Sequence, residues 1–369
     1  MFELAVELID ETPALAIDWA VVSRNVAAMA ALASERGVAL RPHVKTHKLI
    51  PLAQLQVACG AVGVTVAKLN EAEAMAAGGI SDVLVAYPVV GSSKLRRLLD
   101  LAASGINLAV ALDSAPAALD LAIAARARSL VVPVLIEIDT GLRRCGVQSA
   151  AEALELARLA DDQHGTSFAG IATHEGHAYA TSGAEGLRQA TEDAAGAMRE
   201  VAQALEDAGL PAKTVSMGSS GTARFGIGLE GTTEFRPGTY VFNDRTQVAL
   251  GAAAREECAA AIVATVVSRA VPGQAVIDAG SKVLTSDRML VANPRPTFGE
   301  LADDPDCEVV RMSEEHGILG GGAVERLAVG DRVAVLPNHI CPVVNLFDSV
   351  RVLRAGNVER WPVDARGSV

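Results

Sequence analysis

One pattern constrains this chain more than any other. Up to about residue 250, short apolar runs alternate with longer Ala/Leu-rich runs. Strand-like runs fall at 38–44, 62–67, 82–86, 107–112, 131–139, 168–174, 213–217 and 233–237. Helical runs at 52–58, 70–77, 93–103, 115–128, 150–161 and 186–208 fill most of the gaps. Regular β–α alternation implies a parallel sheet covered by helices. Eight strands suit a closed (β/α)8 TIM barrel, with a doubly wound open sheet as the competing architecture. Past residue 250 the helical periodicity fades. Short β-rich pieces at 261–267, 274–277, 332–336 and 349–353 are separated by Pro and Gly turns. The expectation is an α/β protein, with a barrel over 15–250 and then a mostly β domain over 251–369, which residues 1–14 join.

Composition removes several classes of function. Acidic residues outnumber basic ones 44 to 32, a net charge of −12, and aromatic residues are 3% of the chain. Nucleic acid and anionic membranes call for basic surface, and bases for stacking rings. Half the residues are hydrophobic, enough for a large core. No run approaches the ~18 apolar residues of a membrane span. The first residues carry acids where a secretory signal would carry Lys or Arg. The five cysteines are far apart and form no CxxC pair. They read as reduced, buried thiols of a cytoplasmic protein, Cys341 excepted.

Five segments could carry chemistry. The densest is Arg41-Pro42-His43-Val44-Lys45-Thr46-His47-Lys48. On a strand, Arg41, His43, Lys45 and His47 would share one face. At the C-terminal end of a barrel strand that face meets the reaction cavity. A lysine crowded by cations has a depressed pKa, and its neutral amine can form a Schiff base. A solvated basic loop is the alternative, and Pro42 interrupts any regular ladder. The second segment, Met217-Gly218-Ser219-Ser220-Gly221-Thr222, follows the seventh strand. With the turn Arg236-Pro237-Gly238-Thr239-Tyr240 after the eighth, it stands where barrels hold phosphates. The chain has no GxxxxGK[ST]. The third, His174-Glu175-Gly176-His177-Ala178-Tyr179, reads as a metal pair, an acid–base pair or a polar loop. The fourth, Ile138-Asp139-Thr140-Gly141-Leu142-Arg143-Arg144-Cys145-Gly146, offers an arginine for a carboxylate or ring oxygen. The fifth, Pro337-Asn338-His339-Ile340-Cys341-Pro342, pairs imidazole and thiol at i, i+2 on an extended segment. Such a pair suits zinc but makes only an incomplete site, and a structural His beside a buried Cys is the plainer reading.

Taken in order, these segments and the DAGSK run at 278–282 resemble the fold-type III pyridoxal-phosphate enzymes, the alanine-racemase-like barrels. The D-serine dehydratase and D-threonine aldolase group is the nearer likeness. The resemblance implies that Lys45 carries pyridoxal 5'-phosphate. Ser219, Ser220, Gly221, Thr222, Gly238 and Thr239 become the phosphate cradle, and Tyr240 adds a phenolic contact. His174, His177 and Tyr179 would flank the ring or the substrate, with His177 a candidate base. Arg143 would hold a cofactor oxygen or the substrate carboxylate. His339 and Cys341 become the metal pair, and the assembly a homodimer. D-threonine aldolases of the group carry His-Cys-Asp, with His and Asp as ligands, whereas here no Asp follows Cys341. Sulfur ligation favours zinc over manganese or magnesium. The expected activity is β-elimination from a D-β-hydroxy amino acid, with retro-aldol cleavage as the alternative. A racemase needs no metal pair, and a non-catalytic pyridoxal-phosphate carrier of this type lacks a β domain.

Overall fold

A computed structural model describes residues 2–181, 183–227, 229–289, 296–322 and 324–368. They divide into two compact units, one built on residues 28–45 and 50–238, the other on 2–27, 46–49 and 239–367. The first strand, β1 (Ala14–Asp18), belongs to the second unit. The first unit holds eight parallel strands: β2 (Ala39–Leu40), β3 (Val64–Val66), β4 (Asp82–Val85), β5 (Asn107–Leu112), β6 (Val132–Glu137), β7 (Thr166–Ala172), β8 (Thr214–Met217) and β9 (Glu234–Phe235). Their order is β2-β9-β8-β7-β6-β5-β4-β3. The two ends meet through a parallel bridge between His43 and Thr65, with Val62 N–H donating to Leu40 O at 2.9 Å and Thr65 N–H to Pro42 O at 2.7 Å. The sheet therefore closes into the barrel that the alternation predicts.

Strand periodicity decides what fills it. Val83 and Val85 pack outward with Leu95, Leu98 and Leu99 of the helix Ser92–Ala103, while Leu84 faces inward with Leu135, Ala172, Ala109 and Ala169. On the other side of the barrel the filling is ionic. Arg41 pairs with Asp82 and, at 2.6 Å, with Glu234. Ser216 donates to Glu234 at 2.6 Å, and Arg236 donates to Ser216 and to Thr173 O. Each charge in this network has a hydrogen-bond partner, which is the condition for its tolerance in a core.

The second unit is a nine-stranded sheet built on β1 and β10 (Ala260–Ser268), β11 (Ala275–Ile277), β12 (Gly299–Leu301), β13 (Glu308–Met312), β14 (Gly317–Gly320), β15 (Arg332–Pro337), β16 (Ser349–Arg354) and β17 (Asn357–Pro362). Every pairing is antiparallel except β1 with β16. β1 lies between β10 and β16, so 15–18 do not open the barrel segment, and the second unit resumes at 239 rather than 251. Ala14 to Ile17 are all buried, and a run without alternation gives no sign of which sheet it joins. Among the described residues no helix is long and apolar enough to cross a membrane, and no cysteine is in a disulfide. Only Cys258 and Cys307 are fully buried; Cys59, Cys145 and Cys341 are partly exposed.

A bulge between β6 and β7 leaves Ala169 unpaired, and Gly170 beside it has φ +154°. A Cβ there would stand 2.0 Å from the carbonyl oxygen of Thr214 on β8. Gly170→Ala is therefore expected to cost about 1–3 kcal/mol, read as a lower urea midpoint; an unchanged midpoint would show that the strands relax freely.

Candidate active site

The lysine segment is not a continuous strand. β2 ends at Leu40, Pro42 has no N–H to give the ladder, and the chain turns into a 3-10 helix over Val44–Thr46. The four residues expected on one face separate accordingly. Arg41 enters the barrel's ionic network, and His47 is buried in the second unit, edge-on to Phe242 with ring centroids 6.5 Å apart. His43 and Lys45 stay together, the Lys45 N–H lying 3.4 Å from His43 Nδ1. His43 N–H also donates to Pro237 O at 2.9 Å, tying this turn to the end of β9.

Three elements bring polar groups to the same end of the barrel. Burial, then the charges of Lys45, Arg236, His174 and Arg144, holds His43 well below the usual histidine range. Burial and the charges of Lys45, Arg144 and Arg236 push His174 down to about 3. Both imidazoles are neutral at pH 7. Burial raises the Glu137 carboxyl against the opposing pull of Arg236 and Arg144. Arg144 is thus the arginine whose charge reaches the histidines. Arg143, the residue singled out from sequence, is exposed at φ +54°, and its N–H donates to Asp139 Oδ1 at 2.9 Å.

The Gly/Ser loop after β8 hangs on a carboxylate. Glu175, fully buried, accepts from Gly218 N–H at 3.0 Å and from the Thr222 hydroxyl. That hydroxyl also accepts from Ser219 N–H at 3.1 Å, so Thr222 holds the loop in shape instead of standing free as an anion ligand. Gly221 N–H donates to the Tyr179 hydroxyl at 3.0 Å, and Gly238 N–H to Ser220 Oγ at 3.2 Å. Gly218, at φ +113°, packs so tightly that a Cβ would lie 2.3 Å from the Phe235 ring. His177 rests on Gly141, where a Cβ would come within 3.2 Å of the imidazole. Its Nδ1 is buried without a hydrogen-bond partner. Ser219, Ser220, Gly221, Thr222, Gly238 and Tyr179 are thus brought together. Thr239 and Tyr240 fall in the second unit instead.

That unit carries the His–Cys pair. His339 and Cys341 are hydrogen-bonded to each other, and His339 Nδ1 lies 2.8 Å from Asp287 Oδ2. Cys341 Sγ has the hydroxyls of Thr46 at 3.2 Å and Thr239 at 3.5 Å. These are the chain neighbours of Lys45 and Gly238. Asp244 accepts Ile340 N–H at 3.1 Å, bracing the segment. Although burial opposes it, the pairing with Cys341, then Asp244 and Asp287, raises His339 to about 10. His339 and the two hydroxyls in turn lower the Cys341 thiol against its burial. Among the described residues, no group of three or more His, Cys, Asp or Glu side chains is placed to hold a metal.

A barrel with a lysine turn and a glycine-dependent loop at one end, followed by a β-rich unit, is the architecture of an alanine-racemase-like enzyme. Residues 17–246 match the family Alanine racemase, N-terminal domain, and 259–353 match a serine dehydratase domain; the chain belongs to this family and is an enzyme, a lyase. It is 36% identical to D-threo-3-hydroxyaspartate dehydratase of Delftia sp. strain HT23, over 95% of this chain and 96% of that one. It is 34% identical to a D-threonine aldolase of Arthrobacter sp., over 97% and 93%. The crystal structure of D-threonine aldolase from Filomicrobium marinum superposes with a TM-score of 0.89 at 34% identity, covering 97% and 96%. Solved variants of a D-threo-3-hydroxyaspartate dehydratase, with TM-scores of 0.88, include a cysteine-to-alanine form described as metal-free and a histidine-to-alanine form two positions before it. His339 and Cys341 have the same spacing.

Residues that mattered more than the sequence suggested are Glu175, Arg144, Glu137 and Asp287. All but Asp287 and Glu137 stood inside the segments singled out. The neutral His174 makes a pH prediction. Its folded pKa of about 3 lies below the ordinary histidine value of 6.5, so on acidification the unfolded chain takes up the proton first. The stability it protects is complete above pH 6.5 and falls toward pH 3. Between pH 7 and 5 His174→Gln should lose up to ~2 kcal/mol less than the unsubstituted protein in urea unfolding. Parallel losses would mean that His174 is not held neutral.

Proposed function

We propose that the chain is a pyridoxal-phosphate- and metal-dependent lyase of small D-β-hydroxy-α-amino acids, with β-elimination to an α-keto acid and ammonia as its reaction. The reading rests first on Lys45, presented on a turn beside His43 and in electrostatic reach of His174, both neutral. The amine of such a lysine, when neutral, can bond an aldehyde. The other residues fit the same group. The loop 218–222, which packs this closely because Gly218 and Gly221 lack a Cβ, carries the hydroxyls of Ser219 and Ser220, and the buried, unpartnered His177 Nδ1 stands ready for a polar ligand. Arg144 rather than Arg143 would serve an anionic oxygen. His339 and Cys341 would hold the metal, and imidazole with thiolate favours zinc. The proposed assembly is a cytoplasmic homodimer, as the resemblance implies.

When bound, the cofactor supplies an electron sink for charge left at Cα, and the metal polarises the β-hydroxyl as a Lewis acid. The chain supplies the proton traffic and the order. Lys45 Nζ, once free, accepts the proton from Cα. Burial first, and the neighbouring positive charges after it, keep His43 and His174 uncharged. Glu175 keeps the loop 218–222 in shape through the turnover. The β-hydroxyl leaves as water, taking the proton that Lys45 accepted from Cα, and hydrolysis of the resulting enamine consumes one water and releases ammonia.

Retro-aldol cleavage to glycine and an aldehyde is the second reading, supported by the likeness to D-threonine aldolases and by His177, placed to take the hydroxyl proton. The imidazole–thiol spacing, matched by that of the dehydratase variants, favours elimination. Product analysis with D-serine, D-threonine and D-3-hydroxyaspartate decides. An α-keto acid with ammonia supports elimination, glycine with an aldehyde supports cleavage, and neither product rejects both. Lys45→Ala should lower turnover at least ~100-fold and abolish the borohydride-stable adduct on this peptide. An adduct that survives the substitution would sink the proposal.

A further inference from the structure

We infer that Asp287 is a positioning residue for the metal pair: its carboxylate accepts a hydrogen bond from Nδ1–H of His339 and so leaves Nε2, deprotonated when a metal binds, as the ring atom that faces the metal. This rests on the proposed role of His339 and Cys341. The carboxylate oxygen lies 2.8 Å from Nδ1, within hydrogen-bond range. A neutral imidazole that donates from one nitrogen has its lone pair on the other, and metal-bound histidines are commonly oriented in this way by a carboxylate.

A second contact ties the same residue to the same segment. The side chain of Asn338, immediately before His339, donates to Asp287 O at 3.0 Å and to Thr297 O at 2.6 Å. Its Oδ1 accepts from Arg245, which is itself paired with Glu300 and Glu308. Asp287 is thus bound to the metal segment by side chain and by backbone, and that segment is anchored in an ion-pair cluster. Cys341 Sγ, by contrast, meets two hydroxyls that can rotate, those of Thr46 and Thr239. With only two protein ligands in the pair, the direction of each lone pair matters more than in a closed four-ligand site.

The test uses the full chain and zinc alone, titrated against a chelating dye, with cobalt as the spectroscopic substitute. Asp287→Ala should weaken zinc binding ~10–100-fold, with one metal still bound at saturation and the cobalt ligand-field spectrum unchanged. Asp287→Asn, whose amide oxygen can still accept from Nδ1, should recover part of the loss. Equal affinity in Asp287→Ala and the unsubstituted chain overturns the inference alone. A cobalt spectrum showing a lost ligand overturns it in favour of direct ligation by Asp287. Failure of the unsubstituted chain to bind stoichiometric zinc, or no effect of His339→Ala, removes the metal pair itself and this inference with it.

Discussion

The break in the barrel's first strand governs the site. β2 contributes only Ala39 and Leu40 to the ladder before Pro42 leaves it without a donor. Closure then depends on single contacts, the His43–Thr65 bridge and two backbone bonds from β3 and the residues before it. Had the strand run on, Lys45 would have stood in a row with Arg41 and His47, a line of like charges pointing into one cavity. The turn instead sends Arg41 to carboxylates, His47 into the second unit, and leaves Lys45 beside a single imidazole.

Charge is distributed by the same logic inside the barrel. One half is filled by Leu84, Leu135 and alanines, the other by Arg41, Glu234, Ser216 and Arg236 in sequence. Arg236 forms the end of that chain of contacts, and its field reaches His43, His174 and Glu137. The network deep in the barrel thus adds to burial in lowering the two histidines and opposes it at Glu137. Partial neutralisation by Glu234 through Ser216 keeps the arginine tolerable in a buried position.

The cofactor loop and the metal segment share a construction principle. In each, an acidic side chain organises backbone and hydroxyl or imidazole donors: Glu175 under 218–222, Asp287 and Asp244 around 339–341. All three carboxylates hold other groups still, which is what pre-organisation of a polar site requires.

The eight barrel strands, the helices between them and the lysine, glycine-loop and His-x-Cys segments were legible in the residues, because β–α alternation and local spacing are properties of neighbours in the chain. β1 was not, since Ala14–Ile17 is apolar on both faces and a short continuous run does not reveal its sheet. Nor was it legible that the charge of Arg144 is the one of this adjacent pair that bears on His43 and His174. The pairing of Glu175 with Thr222, 47 positions apart, and of Asp287 with His339, 52 apart, came from folding alone. Sequence determines which groups are available and at what local spacing. Which of them meet, which are buried, and so which carry charge, follows from long-range packing that no local pattern encodes.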